Sequence, residues 1–251
     1  MSESKNLDPV SMYTITSKLM MHILDVVTNR FGEEGKSTML AGVQQVVEEQ
    51  QTGEDGQLTE QALFTFDKLF DDEEIKGTFE IYSKARKENG REPDTMFAIM
   101  AKLFAHIAKV FVERYGKDEG EQVMMDSVGT FGEERGRDIA RRAAAVGKSN
   151  TMDNYLSNYD MGRSELFEYE TLFHPTEIEQ TFTKCAFAEQ WIKDGMEDYG
   201  ILYCHMIDPS IAKGFNPNFE VIHDQYVLKE GVCHFRFQMK DEEENTQETW
   251  K

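Results

Sequence analysis

Apolar residues recur at helical spacing through the first 150 residues of the chain. From Ser11 to Arg30 they form one stripe, and Gly32 follows as a stop signal, so this segment is predicted to be an amphipathic helix. Asp94, which follows a proline, is predicted to cap the next clear helix, which runs to about Tyr115. Apolar residues cover two faces of that segment, and this pattern predicts a central, buried helix.

One stretch of helical sequence occurs twice. Residues 22–35, HILDVVTNRFGEEG, resemble residues 106–120, HIAKVFVERYGKDEG. Each copy has the pattern of a helix, a glycine stop and a new acidic first turn. A third glycine-rich segment, residues 131–136, is predicted to open the helix that runs to Ala145. Two copies are too few for a solenoid, so the repeat indicates a helix–turn–helix unit that is either duplicated or convergent.

The pattern changes after residue 150. Two strands are predicted at Leu166–Phe173 and Ile178–Cys185, followed by a helix at Ala186–Tyr199. Val221–Leu228 and Val232–Met239 are predicted to form a hairpin, and the apolar residues of the second strand alternate onto one face. The fold class is therefore α+β: an N-terminal helical bundle followed by a small antiparallel sheet with packed helices.

This division predicts four regions along the chain. Residues 1–95 form an N-terminal helical region, and residues 96–150 form helices that pack on the C-terminal part. Residues 151–240 form the α+β region, and residues 241–251 form an acidic tail. Residues 48–80 carry eleven acids against two lysines. This stretch and the tail are interpreted as a solvated helix face and a frayed end, in preference to a cation or partner site.

Composition and charge narrow the classes of partner. The chain has 251 residues, of which 39% are hydrophobic, so it is long and apolar enough to bury a core. A formal charge of −20 disfavours nucleic acid and anionic membrane surfaces as partners. The amino terminus is polar, and the longest apolar run, Met96–Ala101, is far too short for a membrane span. We therefore expect a soluble cytoplasmic protein that takes a small-molecule substrate, and a homo-oligomer is left open.

The candidate chemistry lies in the last third of the chain, which contains all three cysteines: Cys185, Cys204 and Cys233. An odd number of cysteines does not indicate a disulfide framework. Small apolar thiols often fill core positions, and this interpretation is favoured for Cys233. Thiolates with a histidine or an aspartate would also suit zinc, but the spacings contain no compact pair of ligands. No cofactor is therefore expected, with a divalent metal held by the cysteines as the alternative.

A nucleophilic thiolate is the third interpretation of these cysteines, and Cys204 is the best placed for it. If the chain is helical there, Cys204 and Asp208 are i and i+4 on one face and within mutual reach. The thiol would need a lowered pKa and a base. Folding would have to bring in the imidazole, and His223, His174 and His234 all remain open for this role.

Four segments of this region resemble the L-2-amino-thiazoline-4-carboxylic acid hydrolase family: KCAFAE (184–189), YGILYCHMID (199–208), KGFNP (213–217) and EGVCHFRF (230–237). The helical stretches 112–120 and 131–140 are also similar to helices of that family, and the resemblance covers roughly residues 100–240. It implies hydrolysis of a small cyclic amidine, with a thiazoline ring opened toward a carbamoyl-cysteine. By resemblance, five residues occupy motif positions: Cys185, Cys204, Asp208, Asn216 and Cys233.

The residue types suit such chemistry. Asp208 would stabilise a protonated amidine, Cys204 would attack its carbon, and His223 would serve as the base. Asn216 would orient the ring or an oxyanion, although an Asn-Pro pair is also ordinary turn chemistry. The remaining predicted substrate contacts are Cys185, Cys233 and Arg141. Arg141 belongs to a basic helix face that is otherwise interpreted as solvated.

Two functions therefore compete. The first is a hydrolase that acts on a non-peptide C–N bond, with a thiol or a metal-bound water as nucleophile. The second is a non-catalytic small-molecule-binding or sensory module on the same fold. An enzyme should show a thiol of low pKa beside an acid and a histidine in an open cleft, whereas a binding module needs only an apolar cleft with anchoring polar groups.

Overall fold

A computed structural model describes residues 7–52, 58–162 and 165–240 of the chain. The helices of these ranges are α1 (Met12–Phe31), α2 (Glu33–Thr52), α3 (Asp72–Glu88), α4 (Met96–Tyr115), α5 (Lys117–Ala145), α6 (Met152–Tyr155), α7 (Ala186–Asp194), α8 (Glu197–Phe215) and α9 (Val227–Glu230). The strands are β1 (Phe167–Phe173), β2 (Glu177–Cys185), β3 (Phe219–Gln225) and β4 (Cys233–Met239). The predicted α+β class is confirmed. The acidic tail and residues 53–57 of the acidic stretch lie outside the described residues.

The repeated sequence forms two helical hairpins, α1–α2 and α4–α5. Each hairpin turns at a glycine with positive φ, Gly32 at 62° and Gly116 at 84°, a backbone conformation that other residues rarely adopt. A second glycine follows in each copy. A Cβ added at Gly35 would lie 2.3 Å from the carbonyl oxygen of Val27, so only glycine lets the two helices approach. The two predicted glycine stops are therefore confirmed.

The hairpins pack on each other through equivalent residues. Arg30, at the end of α1, pairs with Glu119 of α5 at 2.7 Å, and Arg114, at the end of α4, pairs with Glu34 of α2 at 2.9 Å. The aromatic residues that follow the two arginines stack on each other with ring centroids 4.0 Å apart. The two copies of the repeated sequence therefore form equivalent contacts with each other.

The third glycine-rich segment does not open a helix. Residues 131–136 lie in the interior of α5, which runs without a break from Lys117 to Ala145. The prediction treated glycine as a stop because glycine weakens an isolated helix. In the folded chain, Gly132 and Gly136 are buried in a contact between helices, and this contact compensates for the low helix propensity of glycine.

Helix α4 runs through the core as predicted, but its cap differs by one residue. Thr95, not Asp94, accepts the backbone N–H of Ala98, while Asp94 accepts the hydroxyl of Tyr82 at 2.6 Å. Thirteen of the twenty residues of α4 are buried. The indole N–H of Trp191 donates to the carbonyl of Ala101 at 2.9 Å and so ties α7 to α4.

The single predicted helix at Ala186–Tyr199 is wrong, because the structure has two helices there. Helix α7 ends at Asp194 and is capped by Gly195, which has a left-handed φ of 64°, and α8 begins at Glu197. The two helices pack tightly, since a Cβ added at Gly200 would lie 2.2 Å from the ring of Trp191. The break redirects the chain so that α8 can lie against α5 and the sheet.

The four strands form one antiparallel sheet in the order β1-β2-β4-β3. The predicted pairing of the last two strands is confirmed, although β3 ends at Gln225 and the short helix α9 stands between the strands. On β4 the side chains of Cys233, Phe235 and Phe237 are buried, and those of the alternate positions are more accessible. One face of the sheet therefore covers the helices, as predicted, and both parts contribute to one hydrophobic core.

None of the helices in the described ranges combines the length and the apolar character that a membrane crossing requires. The boundaries of the four predicted regions stay a prediction.

Candidate active site

Helix α8 carries the two central predicted site residues and packs most extensively against α5. Glycines make this approach close. A Cβ added at Gly136 of α5 would lie 2.1 Å from the carbonyl oxygen of Ile211, and one added at Gly214 of α8 would lie 2.2 Å from the carbonyl oxygen of Glu133. Real Cβ contacts are not this short, so these positions accept only glycine. They fix where α8 lies and therefore where its side chains point.

Cys204 and Asp208 lie one helical turn apart on α8, on the same face. The chain is helical at these positions, which was the condition for the predicted pair. Pro209 follows inside the helix and has no N–H, so the carbonyl of His205 lacks its usual helical donor. The ring of His205 packs edge-on against Tyr226, with centroids 5.0 Å apart.

Asp208 is the most perturbed carboxyl group near the thiols. Burial raises its pKa to about 6, and the charge of Arg135 offsets this only in part. Among the described residues no donor forms a hydrogen bond or an ion pair with its carboxylate. The residue still keeps part of its surface accessible. A desolvated, accessible acid without a partner is what a site for a polar ligand presents.

The thiols are perturbed in the direction opposite to that expected of a nucleophile. Burial raises the pKa of Cys185 to about 11 and that of Cys233 to about 12, and it raises the pKa of Cys204 well above its ordinary value. The charges of the other two cysteines and of Asp208 raise the pKa of Cys204 further. The expected low thiol pKa is therefore not what these surroundings produce, because desolvation and a neighbouring carboxylate both favour the neutral thiol.

The outer two cysteines are held by backbone groups. Cys185 is the residue before α7, and the backbone N–H groups of Ala188 and Phe187 counteract part of the rise in its pKa. The Sγ of Cys233 accepts the backbone N–H of Val227 at 3.2 Å. Both thiols therefore have local structural roles as well as proximity to Cys204.

A buried ion pair supports Asp208 from the side of α5. Arg135 donates to both carboxylate oxygens of Asp160, at 2.9 and 2.6 Å, and both side chains are about 4% exposed or less. Burial opposes the charge of Arg135, but Asp160 raises the pKa of the guanidinium well above its ordinary value. The guanidinium also lies over the rings of Phe131 and Tyr159. A permanent cation therefore stands near Asp208.

Sequence reasoning missed Arg135 and singled out Arg141 of the same helix instead. The signal that could have found Arg135 is its place next to Gly136, on the face of α5 that the glycines bring against α8. This signal becomes readable only when the glycines are recognised as a helix contact.

Phenol groups form another part of the site that sequence reasoning missed. Burial raises the pKa of Tyr155, Tyr159 and Tyr203 well above the ordinary value, and the charge of Asp208 adds to the rise in each. The hydroxyl of Tyr155 is buried without a hydrogen-bond partner in the described part of the chain. These groups stay protonated and provide neutral hydroxyls around the acid. No periodic pattern in the sequence marks them.

His223, the predicted base, lies on β3 between two aromatic rings. Its ring centroid is 3.8 Å from that of Tyr226 and 3.9 Å from that of Phe235. Burial lowers its pKa to about 4, and the backbone of Cys204 raises it in part. Neither ring nitrogen forms a hydrogen bond of regular geometry with the described residues. The imidazole is therefore neutral at physiological pH and lies close to Cys204, and the burial that keeps it neutral also makes it a weak base.

The other two histidines that the sequence left open lie elsewhere. His174 and His234 both contact Glu179, at 3.1 and 2.9 Å, and His234 lies on the face of the sheet that does not cover the helices. The fold therefore brings His223 alone, of these three, to the backbone of Cys204.

Two predicted substrate contacts do not join the cluster. Asn216 caps the end of α8, donates to the carbonyl of Asn150 at 2.8 Å and accepts the N–H of Asn218 at 2.9 Å, so turn chemistry uses both ends of its amide. It lies two helical turns beyond Asp208, about 12 Å along the axis. Arg141 is 74% exposed and pairs with Asp138 on the surface of α5. Their predicted roles in substrate binding stay predictions.

The remaining predicted site residues are brought together: Cys185, Cys204, Asp208, His223 and Cys233. Across residues 7–52, 58–162 and 165–240, no group of three or more histidine, cysteine or acidic residues is arranged to hold a metal ion. The chemistry that the cluster supports from its own side chains is recognition of a cation by Asp208 and proton transfer among Asp208, Cys204 and His223.

A family model described as L-2-amino-thiazoline-4-carboxylic acid hydrolase matches residues 96–237, which is more than half of the chain. The match begins at the first residue of α4 and ends in β4, so it includes the whole cluster and leaves the first hairpin outside. No curated protein matches the chain.

Solved structures of H-NOX proteins show a weak likeness. A crystal structure of an Fe(II) unliganded H-NOX protein mutant from K. algicida shares 11% identity, with 90% of this chain and 97% of that chain covered, at a TM-score of 0.28. An oxygen-binding H-NOX domain related to soluble guanylate cyclases shares 13% identity, with 92% and 96% covered, at a TM-score of 0.24. At TM-scores this low, the likeness carries no argument about this chain.

Proposed function

The chain belongs to the L-2-amino-thiazoline-4-carboxylic acid hydrolase family, and from this premise we propose that it hydrolyses a small cyclic amidine or a related non-peptide C–N bond. One observation carries the proposal: Asp208 is desolvated, partly accessible and without a partner in the described chain, one turn from Cys204. A carboxylate in this state gains most from a ligand that brings a positive charge and N–H donors. A protonated amidine supplies both.

The bound cation also changes the thiol. Desolvation and the negative charge of Asp208 keep Cys204 protonated. An amidinium at Asp208 cancels that negative charge and places a positive one beside the sulfur, so it lowers the pKa of Cys204. The thiolate then forms only when substrate is present, and His223, which is neutral near pH 7, accepts the proton.

The reaction that follows consumes one water. Cys204 Sγ forms a bond to the amidine carbon, and the ring bond breaks as its leaving atom takes a proton from the protonated His223. Water then attacks the same carbon, the C–S bond breaks and the thiol is regenerated. The buried phenol groups and Arg135 exclude water from the back of the site, and the charge of Arg135 acts on Asp208 without a direct hydrogen bond.

A non-catalytic binding module is the second candidate, and one observation favours it. All three thiols have raised pKa values, whereas a resident nucleophile usually has a lowered one. The same acid and phenols would bind an amidinium without any chemical step.

Ring opening of 2-amino-thiazoline-4-carboxylate by the purified protein tests the proposal, with and without a chelator. The variants are Cys204→Ala and Asp208→Asn, and the matched control is Asp198→Asn, an exposed acid on the same helix. We expect turnover that survives the chelator and Asp198→Asn and is lost in both site variants. Loss in Asp208→Asn alone would assign the attack to water activated by the carboxylate.

The same experiment separates the two candidates. Saturable binding without turnover, abolished by Asp208→Asn, would replace the hydrolase with the binding module. Turnover that is lost in the presence of the chelator would indicate that the cysteines bind a catalytic metal ion. Absence of both turnover and binding, with this compound and with other small amidines, would overturn the proposal.

A further inference from the structure

A cleft of about 270 Å³ lies between helices α2, α3, α4 and the end of α7, and none of the predicted site residues lines it. Its wall is mainly polar. The cationic side chains are those of Arg86, Arg91, Lys102 and Lys193, and the carboxylates are those of Glu49 and Asp94. The side chains that line the cleft therefore have an excess of two positive charges, in a chain whose formal charge is −20.

The two carboxylates are already engaged within the protein. Asp94 accepts the hydroxyl of Tyr82 at 2.6 Å and lies 3.7 Å from the guanidinium of Arg86. The side chains of Asp94 and Arg86 are 19% and 16% exposed, so this contact is well shielded from water. Asp94 therefore fixes the guanidinium at the wall of the cleft.

Glu49 fixes a cationic side chain at the opposite wall of the cleft. Its carboxylate lies 3.6 Å from Lys102 and 3.2 Å from His106. Lys102 in turn lies 3.6 Å from Asp194, at the end of α7. Lys193, the next residue of α7, is exposed and forms no ion pair with any residue in the described ranges. Its charge is therefore not neutralised from within this part of the chain.

We propose that this cleft binds a small dianion of the phosphate class, either inorganic phosphate or the phosphate group of a small metabolite. Cations converge on it from α3, from the segment after α3, from α4 and from α7. A tetrahedral anion directs oxygens to several walls at once, whereas a carboxylate offers two oxygens in one plane. The volume lies just below the range for drug-sized ligands, which fits a compact anion.

Isothermal titration calorimetry of the full chain with inorganic phosphate at constant ionic strength tests the proposal. We expect saturable binding of one phosphate per chain. Lys193→Gln should weaken it about ten-fold, since a charged hydrogen bond contributes on the order of 1.5 kcal/mol. The matched control is Lys36→Gln, an exposed lysine on α2 away from the cleft, which should bind as the unchanged chain does. Arg91→Gln, from another wall, provides a second variant.

Titrations with other anions identify the class of ligand. Tighter binding of glycerol 3-phosphate than of phosphate would assign the site to a phosphorylated metabolite, and the reverse order would assign it to the free ion. Tighter binding of succinate than of either would overturn the phosphate class. Absence of binding at phosphate concentrations up to about 10 mM would mean an affinity far weaker than that of an ordinary ligand site, and it would overturn the proposed site. Equal weakening by Lys36→Gln would also do so, because it would show only non-specific attraction.

Discussion

Helices α1 and α2 and helices α4 and α5 form two hairpins that use equivalent residues on each other. His22 of α1 lies 2.8 Å from Glu134 of α5, and His106 of α4 lies 3.2 Å from Glu49 of α2. Only the second hairpin falls within the family match and receives α8. The contacts that are equivalent in the two hairpins therefore build the helical part of the fold. A few residues that differ between the two copies decide where a site forms.

The residues that differ lie on the second helix of each hairpin. Counting from the paired glutamates, Gly136 of α5 corresponds to Gln51 of α2, and Arg135 corresponds to Gln50. Glycine lets α8 approach α5, and Arg135 holds Asp160 near the candidate site. Gln50 instead accepts the backbone N–H of Phe64 at 3.2 Å, so the first hairpin is covered by a loop at this place.

The largest effect should come from the arginine. Arg135→Met removes the partner of Asp160, which is 3% exposed, and leaves a buried carboxylate without a cation. We expect the free energy of unfolding to fall by about 4 kcal/mol. Gln50→Met removes one hydrogen bond to a backbone group and should cost about 1 kcal/mol. Urea denaturation of both variants measures the difference, and equal losses would show that the two positions are equivalent after all.

The glycine should have the next largest effect. Gly136→Ala places a Cβ 2.1 Å from the carbonyl oxygen of Ile211, so α8 has to move. We expect a loss of about 3 kcal/mol in the free energy of unfolding and, because α8 carries Cys204 and Asp208, loss of ligand binding as well. Gln51→Ala, at the exposed equivalent position, should change stability by no more than about 0.5 kcal/mol. An unchanged stability in Gly136→Ala would refute the close contact.

These two positions also show what the sequence could and could not predict. The apolar periodicity predicted α1 and α4, and i,i+4 spacing predicted that Cys204 and Asp208 share a face. The glycines of α5 were interpreted as a helix start, because their reason, a contact with Ile211, lies 75 positions further along the chain. Local pattern does not contain that information.

The pKa shifts at the site could not be predicted from the sequence for the same reason. The raised thiol pKa of Cys204 depends on desolvation by several elements, and the phenol groups near Asp208 come from a separate segment and from α8. Asn216 was chosen by resemblance to the family and Arg141 by its residue type. Tertiary contacts place the first in a turn and the second in a surface ion pair. Residue type indicated the chemistry, but only folding selects which residues share a cluster.

The buried carboxylate of Asp208 should destabilise the folded protein. Its pKa is about 4 in the unfolded chain and about 6 in the folded one, so between these values the folded state binds more protons. Stability therefore falls as pH rises from 4 through 6 and stays lower above. Asp208→Asn should raise the free energy of unfolding at pH 8 by roughly 2 to 3 kcal/mol and flatten this dependence. Urea denaturation at pH 4.5 and pH 8 measures both, with Asp198→Asn as the control that should show neither change.

The smallest effects should come from the pairs that the hairpins exchange. Arg30 lies 2.7 Å from Glu119 and 2.9 Å from Asp126, and its side chain is 33% exposed. Arg114 pairs with one carboxylate of the described chain, that of Glu34, and is 51% exposed. Arg30→Gln should therefore cost about 0.5 to 1 kcal/mol and Arg114→Gln less, and salt should reduce both costs. Denaturation of the single and double variants at low and high salt tests this. Additive losses are expected, because the two pairs share no residue, whereas strong coupling would mean that the two hairpins respond to each other as one unit.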